Sequence, residues 1–151
     1  MDDNLKPYNQ LFKNIKIQIL SSRNKALRAV NREMIELYWN IGNIILRNQE
    51  KEGWGTKIIG NLSKDIKNEF TDLKGFSERN LKYMRKFAEQ YDNAEFVQQV
   101  VAQIPWAHNL VIMEKIKDIQ ERIWYINKTV ENGWSRNILA HQIEIKMLCC
   151  Y

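Results

Sequence analysis

Apolar residues recur along most of this chain at steps of three and four positions, the spacing that places side chains on one face of an α-helix. The first stretch with this pattern covers Leu5–Leu20, and the second covers Leu27–Ile45. A third stretch runs from Ile58 to Phe70, after the motif Gly53-Trp54-Gly55, whose glycines favour a helix end. The pattern therefore predicts two separate amphipathic helices before residue 53 and a third helix after it.

The second half of the chain shows the same period with clearer start signals. Ser77 follows the turn Thr71–Phe76 and is a favoured N-cap, because its hydroxyl can accept a hydrogen bond from a free backbone N–H group. Pro105 forces a new start, since proline suits the entry of a helix and not its interior. Further helices are predicted at 94–103, 110–116 and 119–130, and Ser135 caps a last one. The predicted fold class is all-α, a compact multi-helix domain spanning residues 1–151.

Composition agrees with one helical domain. Of the 151 residues, 44% are hydrophobic and 27% are charged, which is ordinary usage for a soluble globular protein. Six glycines and two prolines are too few for the frequent turns of a β-sandwich or barrel.

Two segments of the chain resemble each other. The motif Gly75-Phe76-Ser77 and the motif Gly133-Trp134-Ser135 each place a glycine, an aromatic residue and a capping serine before a predicted helix. Physically each is a helix start, because glycine ends the preceding element and serine caps the next one. The repetition has two explanations: recurrence by chance, or duplication of a helix-turn-helix unit.

Signals for disulfides, export and membranes are weak. Cys149 and Cys150 are adjacent, so they provide neither a disulfide framework nor a metal-ligand spacing. No signal peptide follows the acidic start of the chain. The longest charge-free stretch, 96–113, contains polar residues and Pro105, so a membrane span is disfavoured. We expect a cytoplasmic protein without a membrane partner.

The charge-free stretch 96–113 has two remaining interpretations. It is either a buried segment or a protein interface, because aromatic-rich, charge-poor surfaces suit protein contacts. In the second interpretation Trp106 and Leu110 are the candidate interface residues, and the expected partner is another copy of the chain in a homodimer.

Positive charge is concentrated in one part of the chain. The net charge is +5, and the excess lies within residues 1–92. The densest cluster has a single acid, Glu78, and consists of Lys74, Arg79, Lys82, Arg85 and Lys86. On a helix that begins at Ser77, three of these cations share one face. A basic helix with a buried back has the form of a recognition helix, for which Lys and Arg contact phosphates and Asn80 is a candidate reader of bases.

This basic helix belongs to a predicted helix-turn-helix-like unit around residues 56–91. The expected partner is double-stranded DNA, with Lys74 contributing from the turn. Two observations limit the prediction. A solvated charged face is common on surface helices, and a six-residue turn is longer than the three or four residues of a compact helix-turn-helix.

Catalytic and metal-binding patterns are not indicated. His108 and His141 are the only histidines, and no glycine-rich phosphate loop is present. The triplets Asp65-Ile66-Lys67 and Glu144-Ile145-Lys146 resemble half of a metal-dependent nuclease site, but both fall in helical patterns. We therefore expect no catalytic residue, no metal site and no cofactor in this chain.

Several separated motifs resemble those of a known family. They occur in one order along the chain: Tyr38-Trp39-Asn40-Ile41-Gly42, the stretch Gly75–Phe87, Ile104-Pro105-Trp106-Ala107-His108-Asn109, Arg122-Ile123-Trp124-Tyr125 and Glu131–Arg136. With these motifs the chain resembles the N-terminal helical domain of the YhcG-type PD-(D/E)XK nuclease family over roughly residues 10 to 146.

The resemblance implies a function for the domain. In that family the helical domain precedes a separate nuclease domain, which holds the catalytic carboxylates and lysine, and this chain stops about where the linker between them would begin. The expected function is thus a non-catalytic, prokaryotic DNA-binding module that positions nucleic acid for a nuclease domain in cis or in trans. The alternative is a protein-interaction or dimerisation module that uses the stretch 96–113.

Overall fold

The structure, a computed structural model, describes residues 5–53, Gly55 and residues 57–149, with side chains up to residue 146. Over these residues the chain forms helices and no strand, which confirms the predicted all-α class. The sequence interpretations of residues 1–4, Trp54, Thr56, Cys150 and Tyr151 lie outside the described residues. The helices are α1 Leu5–Glu52, α2 Lys57–Glu69, α3 Glu78–Gln90, α4 Ala94–Gln99, a 3₁₀ turn Val101–Gln103, α5 Trp106–Lys115, α6 Ile119–Asn132 and α7 Arg136–Cys149.

The prediction of two helices before residue 53 was wrong, because α1 is one helix of 48 residues. The hydrophobic pattern is interrupted between Leu20 and Leu27, but this segment contains neither glycine nor proline. Each serine or asparagine in this segment costs only about 0.5 kcal/mol of helix propensity relative to alanine. A continuous helix keeps every backbone hydrogen bond, so a gap in hydrophobicity alone does not end it.

The two halves of α1 have different surroundings. Every residue from Leu5 to Val30 is exposed, whereas from Asn31 onward the helix buries a stripe that contains Ile35, Tyr38, Gly42 and Ile45. We call residues 5–30 the arm and the remaining described residues the body. At 1.5 Å per residue the arm extends about 39 Å.

The body is assembled where α1 crosses α3. At Gly42 a Cβ atom would overlap the backbone carbonyl of Met84, so only glycine permits this close approach. One turn earlier, Trp39 Nε1 donates a hydrogen bond of 2.6 Å to the carbonyl oxygen of Tyr91, at the end of α3. The motif of residues 38–42 thus fixes α1 against α3 through a close backbone approach and a hydrogen bond.

Two hydrophobic clusters form the core. The first joins α1, α2 and α3 to the start of α5, and its largest buried members include Ile35, Ile59, Leu81, Met84, Phe87 and Trp106. The second joins α5, α6 and α7, and consists of Ile104, Val111, Ile112, Ile116, Tyr125, Ile126, Leu139 and Ile143. The charge-free stretch 96–113 runs through both clusters, which confirms its interpretation as a buried segment.

Buried polar side chains support the turns around this segment. Asn109 is fully buried, and its Nδ2 donates to the carbonyl oxygens of Val101 and Ile104 at 3.1 and 3.2 Å. Arg122 is also buried, and its Nε donates to the carbonyl oxygen of Ile116 at 2.7 Å. Each places a donor on backbone carbonyls that helix geometry leaves free at a helix end or turn.

The two similar sequence segments are both helix starts, as predicted. Gly75 and Gly133 have positive φ angles of 98° and 62°. Ser77 Oγ accepts a hydrogen bond from the amide of Asn80 at 3.1 Å, and Ser135 Oγ accepts one from the amide of Ile138 at 3.2 Å. The shared pattern therefore has a local physical cause in the turn and the cap.

Among the described helices, none is long and apolar enough to cross a membrane.

Candidate nucleic-acid interface

Helix α3 has one buried and one exposed face. Leu81, Met84, Phe87 and Ala88 are buried against the rest of the body. Ser77 caps the first turn, and the connection between α2 and α3 covers residues 70–77, longer than the turn of a compact helix-turn-helix. The core thereby holds α3 in a fixed orientation at the surface.

The exposed side of α3 forms a basic groove. Arg79, Lys82 and Lys86 are exposed at steps of three and four residues, as the sequence predicted. Together with Arg85 they line an open groove of about 470 Å³, in which the acid is Glu89. The four predicted cations of α3 are therefore brought together along one surface.

Two of these cations have partners at the surface. The Arg79 guanidinium lies 5.5 Å from the centre of the Tyr83 ring, and Tyr83 donates a hydrogen bond of 2.6 Å to Glu114. The hydrogen bond with Tyr83 raises the pKa of Arg79 further, so its charge is fixed. Lys82 forms an ion pair with Glu78 at 3.2 Å. Exposed pairs of this kind are weak, about 0–1 kcal/mol, and a phosphate can displace the carboxylate.

Arg85 and Lys74 differ from the three exposed cations of α3. Arg85 is half-buried, and its Nη1 donates to Gln49 of α1 at 3.0 Å, which ties α3 to α1. Lys74 lines a different groove, together with Glu33 and Leu37 of α1. The structure therefore does not bring Lys74 together with the basic groove of α3.

Asn80 is occupied inside the fold. Its Nδ2 donates to the carbonyl oxygen of Gly75 at 2.6 Å, and its Oδ1 accepts from Nε1 of Trp106 at 2.8 Å. Both ends of the amide are thus used to hold the turn before α3 against α5. To read a base, Asn80 would have to break both hydrogen bonds.

Trp106 and Leu110, the candidate interface residues, also lie in the interior. Trp106 is 9% exposed and packs edge-to-face against Tyr38 and Phe87, with ring centres 5.0 and 5.2 Å apart. Leu110 is half-buried against the same cluster. Their burial is explained by the core of the chain itself, and a dimer would need a different surface.

Arg136 is a cation that the sequence interpretation missed. It begins α7 and lines a cavity of about 350 Å³ with Ser77, Arg79 and Glu114. The starts of α3 and α7 therefore open on one cavity beside the basic groove. Helix N-termini carry partial positive charge, which adds to that of the two arginines, while Glu114 offsets part of it. In the sequence, the similarity between the start of α7 and the start of α3 could have indicated Arg136.

The arm is a larger basic surface that the sequence interpretation also missed. Between residues 5 and 32 the sequence has seven cations and no acid: Lys6, Lys13, Lys16, Arg23, Lys25, Arg28 and Arg32. A charge count over residues 1–53 conceals this, because it includes the acids Glu33, Glu36, Glu50 and Glu52, which follow the arm. A 28-residue run without an acid is visible in the sequence and could have identified the arm as a basic surface.

The residues considered for catalysis are dispersed over the body. His108 Nε2 makes a hydrogen bond of 2.8 Å with the carbonyl oxygen of Trp134. The two acid-x-Lys triplets lie on α2 and α7, and Glu144 forms an ion pair with Lys115 at 3.0 Å, which lowers the pKa of the carboxyl group. In the described part of the chain, no three His, Cys, Asp or Glu side chains are grouped to hold a metal ion.

Comparison with known proteins gives two matches. The family model of the DUF1016 N-terminal domain matches residues 14–148. The Escherichia coli (strain K12) protein named "Putative nuclease YhcG" is 26% identical, in an alignment that covers 90% of this chain and 44% of that protein. The chain therefore spans less than half the length of this relative. No solved structure matches.

Proposed function

The chain belongs to the DUF1016 N-terminal domain family, and from this premise we propose that it is a non-catalytic module that binds double-stranded DNA in a YhcG-type nuclease. Its relative carries the name "Putative nuclease YhcG" and is more than twice as long as the matched region. We assign DNA cleavage to a separate nuclease domain, acting in cis or in trans, and DNA positioning to the helical domain.

The basic groove of α3 is the observation that carries this proposal. Four cations line it against one acid, on a helix whose opposite face is fixed in the core. Phosphate contacts need positive side chains at fixed positions, and they supply most of the affinity of non-specific DNA binding. The resemblance of residues 57–90 to a helix-turn-helix unit is part of the proposal, with a connection longer than usual.

The arm provides a second basic surface for the same ligand. Its six cations and the adjoining Arg32 extend from residue 6 to residue 32, about 39 Å along the helix axis. One turn of duplex DNA is about 34–36 Å long, so the arm is long enough to reach phosphates spaced over a full turn along one side of the duplex. In this arrangement α3 and the arm contribute independently to the same electrostatic attraction.

A titration of duplex DNA over a series of salt concentrations tests the proposal. Affinity should fall steeply with salt, because each neutralised phosphate releases about 0.9 counterions. The triple variant Arg79→Gln, Lys82→Gln, Lys86→Gln should reduce the slope of log affinity against log salt by up to about 3. The arm variant Lys13→Gln, Lys25→Gln, Arg28→Gln should reduce it by a similar amount.

The matched control removes the same charge elsewhere. Lys117, Lys128 and Lys146 lie outside α3 and the arm, and the side chains of Lys128 and Lys146 lie over Trp124. Changing all three to Gln should leave the slope close to that of the parent. Absence of binding by the parent, or equal losses in all three variants, would contradict the proposed surfaces. Cleavage of DNA by the chain alone with Mg²⁺ would contradict its non-catalytic assignment.

A further inference from the structure

Helix α1 carries an apolar stripe whose large side chains the rest of the described chain leaves about half exposed, except at Met34 and Ile41, which pack partly against the core. It begins in the arm and continues along the body half of the helix, beside the residues that face the core. Its positions are Leu5, Tyr8, Phe12, Ile15, Ile19, Arg23, Ala26, Val30, Met34, Leu37, Ile41 and Ile44. Eight of these side chains are large hydrophobics between 47% and 65% exposed. Soluble monomers rarely expose a contiguous apolar surface of this length.

The spacing of the stripe is the same in both directions. The steps from Leu5 to Ile44 are 3, 4, 3, 4, 4, 3, 4, 4, 3, 4 and 3 residues. If two such helices lie antiparallel with residue n opposite residue 49 − n, every large apolar residue meets another. Leu5 then lies opposite Ile44, Phe12 opposite Leu37, and Ile19 opposite Val30. Steps of three and four residues are also the requirement for side-by-side packing of long helices.

We propose that α1 pairs with α1 of a second copy of this chain in an antiparallel arrangement, so that residues 5–18 of each copy lie along residues 31–44 of the other. The proposal rests on the apolar stripe and not on DNA binding. It places the homodimer contact on α1 instead of on Trp106 and Leu110.

The body already provides a receiving surface for the arm. Two grooves flank the stripe, one between α1 and α2 and the other between α1 and the connection that joins α2 to α3. One groove, of about 180 Å³, is lined by Ile44, Ile58 and Leu62 with other residues of α1 and α2. The other, of about 390 Å³, includes Leu37 and Leu73. An amphipathic helix laid along the stripe would fill both grooves with apolar side chains.

The exposed area of the stripe matches a stable interface. Burying one large apolar side chain removes on the order of 100 Å² from water. Eight such side chains per copy give roughly 800 Å² per partner, the size of a standard specific interface. The arm by itself would bury less, which is why the pairing must extend over both halves of α1.

Charge selects the antiparallel direction. Parallel helices would place the acid-free arms, with six cations each between residues 5 and 30, beside one another. Antiparallel helices in this register place residues 5–16 of one copy, which hold three cations and no acid, opposite residues 33–44 of the other, which hold two acids, Glu33 and Glu36, and no cation. Arg23 is the charged residue within the stripe. It lies next to the two-fold axis and opposite Ala26, whose small side chain leaves room for it.

The mass of the full chain in solution tests the pairing. The parent should have twice its monomer mass by sedimentation equilibrium. Phe12→Asp with Ile15→Asp should raise the dimer dissociation constant about 100-fold or more, because two buried apolar positions would receive charge. The matched control is Gln10→Asp with Asn14→Asp, which makes the same charge change on the opposite side of the arm and should remain dimeric. A parent that is monomeric throughout overturns the proposal.

Disulfide trapping tests the register, in a background where Cys149 and Cys150 are replaced by Ser. Phe12→Cys combined with Leu37→Cys should form covalent dimers, whereas Phe12→Cys alone should not, because the two copies of residue 12 would be about 37 Å apart. Efficient cross-linking of the Phe12→Cys single variant would indicate parallel helices and overturn the antiparallel arrangement.

A gain of affinity provides an independent test. Replacing Arg23 by Leu removes two like charges beside the two-fold axis and should tighten the dimer at least about 10-fold. Circular dichroism of each variant checks that the helices are intact. If the parent instead stays monomeric and binds vesicles of anionic lipid through Phe12 and Ile15, the occupant of the stripe is a membrane surface and the proposal fails.

Discussion

The two halves of α1 share one helix and one hydrophobic period, yet only one of them is covered. In the body half, Ile35, Tyr38 and Ile45 are buried against other helices, whereas the apolar residues of the arm remain about half exposed. The body half also has specific means of attachment, in Gly42 at the crossing with α3 and in the Trp39 hydrogen bond to Tyr91. The comparison shows that periodicity identifies an apolar face, but attachment depends on residues that fit a particular neighbour.

Truncating one isoleucine in each half of α1 should give the largest difference in the free energy of unfolding. Ile35→Ala is expected to lower the free energy of unfolding by about 2–5 kcal/mol, because Ile35 is fully buried and its loss leaves a cavity. Ile15→Ala, in the arm, should change it by less than about 0.5 kcal/mol. Urea denaturation in dilute solution, where copies do not associate, provides the measurement. Equal effects of the two substitutions would contradict the division of α1.

Two helical glycines test how closely α1 and α3 approach each other at their crossing. Gly42→Ala should lower the free energy of unfolding by roughly 2–3 kcal/mol, because the new methyl group meets a backbone carbonyl that cannot move without α3. Gly60→Ala is the control. A Cβ there lies 3.5 Å from the Glu78 side chain, so the gain in helix propensity should stabilise the protein by up to about 1 kcal/mol. Thermal or urea unfolding shows whether each substitution raises or lowers the free energy of unfolding. A stabilising Gly42→Ala would contradict the close approach of α1 and α3.

Alkaline pH should give the smallest effect, through a tyrosine of the body. Burial raises the pKa of Tyr91, and the Arg122 guanidinium offsets part of the rise. Above about pH 10 the folded state therefore keeps a proton that the unfolded state loses, so the free energy of unfolding falls as the pH rises. Tyr91→Phe should make this fall shallower, because it removes the buried hydroxyl group that keeps its proton. Urea denaturation from pH 9 to 11 provides the test.

Local features were predictable from few residues. Ser77 and Ser135 were identified as caps because a serine after a glycine and an aromatic residue satisfies the first free amides of a helix, whatever lies around it. The basic face of α3 was predictable for the same reason, since Arg79, Lys82 and Lys86 share a side by helical spacing alone. The continuity of α1 was missed because a gap in hydrophobicity was interpreted as a gap in the backbone.

The roles of Asn80 and Trp106 could not be predicted in the same way. They are 26 positions apart, and the hydrogen bond between their side chains exists only because α3 and α5 meet. An asparagine near the start of a basic helix has the sequence context of a base reader, and a tryptophan in a charge-free stretch has that of an interface. The tertiary contact shows instead that both side chains support the turn before α3.

The sequence by itself thus determined the helical class, the helix starts and the acid-free basic run, since each depends on neighbours within a few positions. Only the tertiary structure decided which apolar faces this chain covers, because burial requires a partner surface of matching shape from elsewhere in the chain. That partner is present for residues 35–45 of α1, where Gly42 lets α3 approach, and absent within the described residues for the arm. The arm therefore has the length, charge and apolar stripe of a contact surface, all encoded locally, while its exposure is a property of the fold.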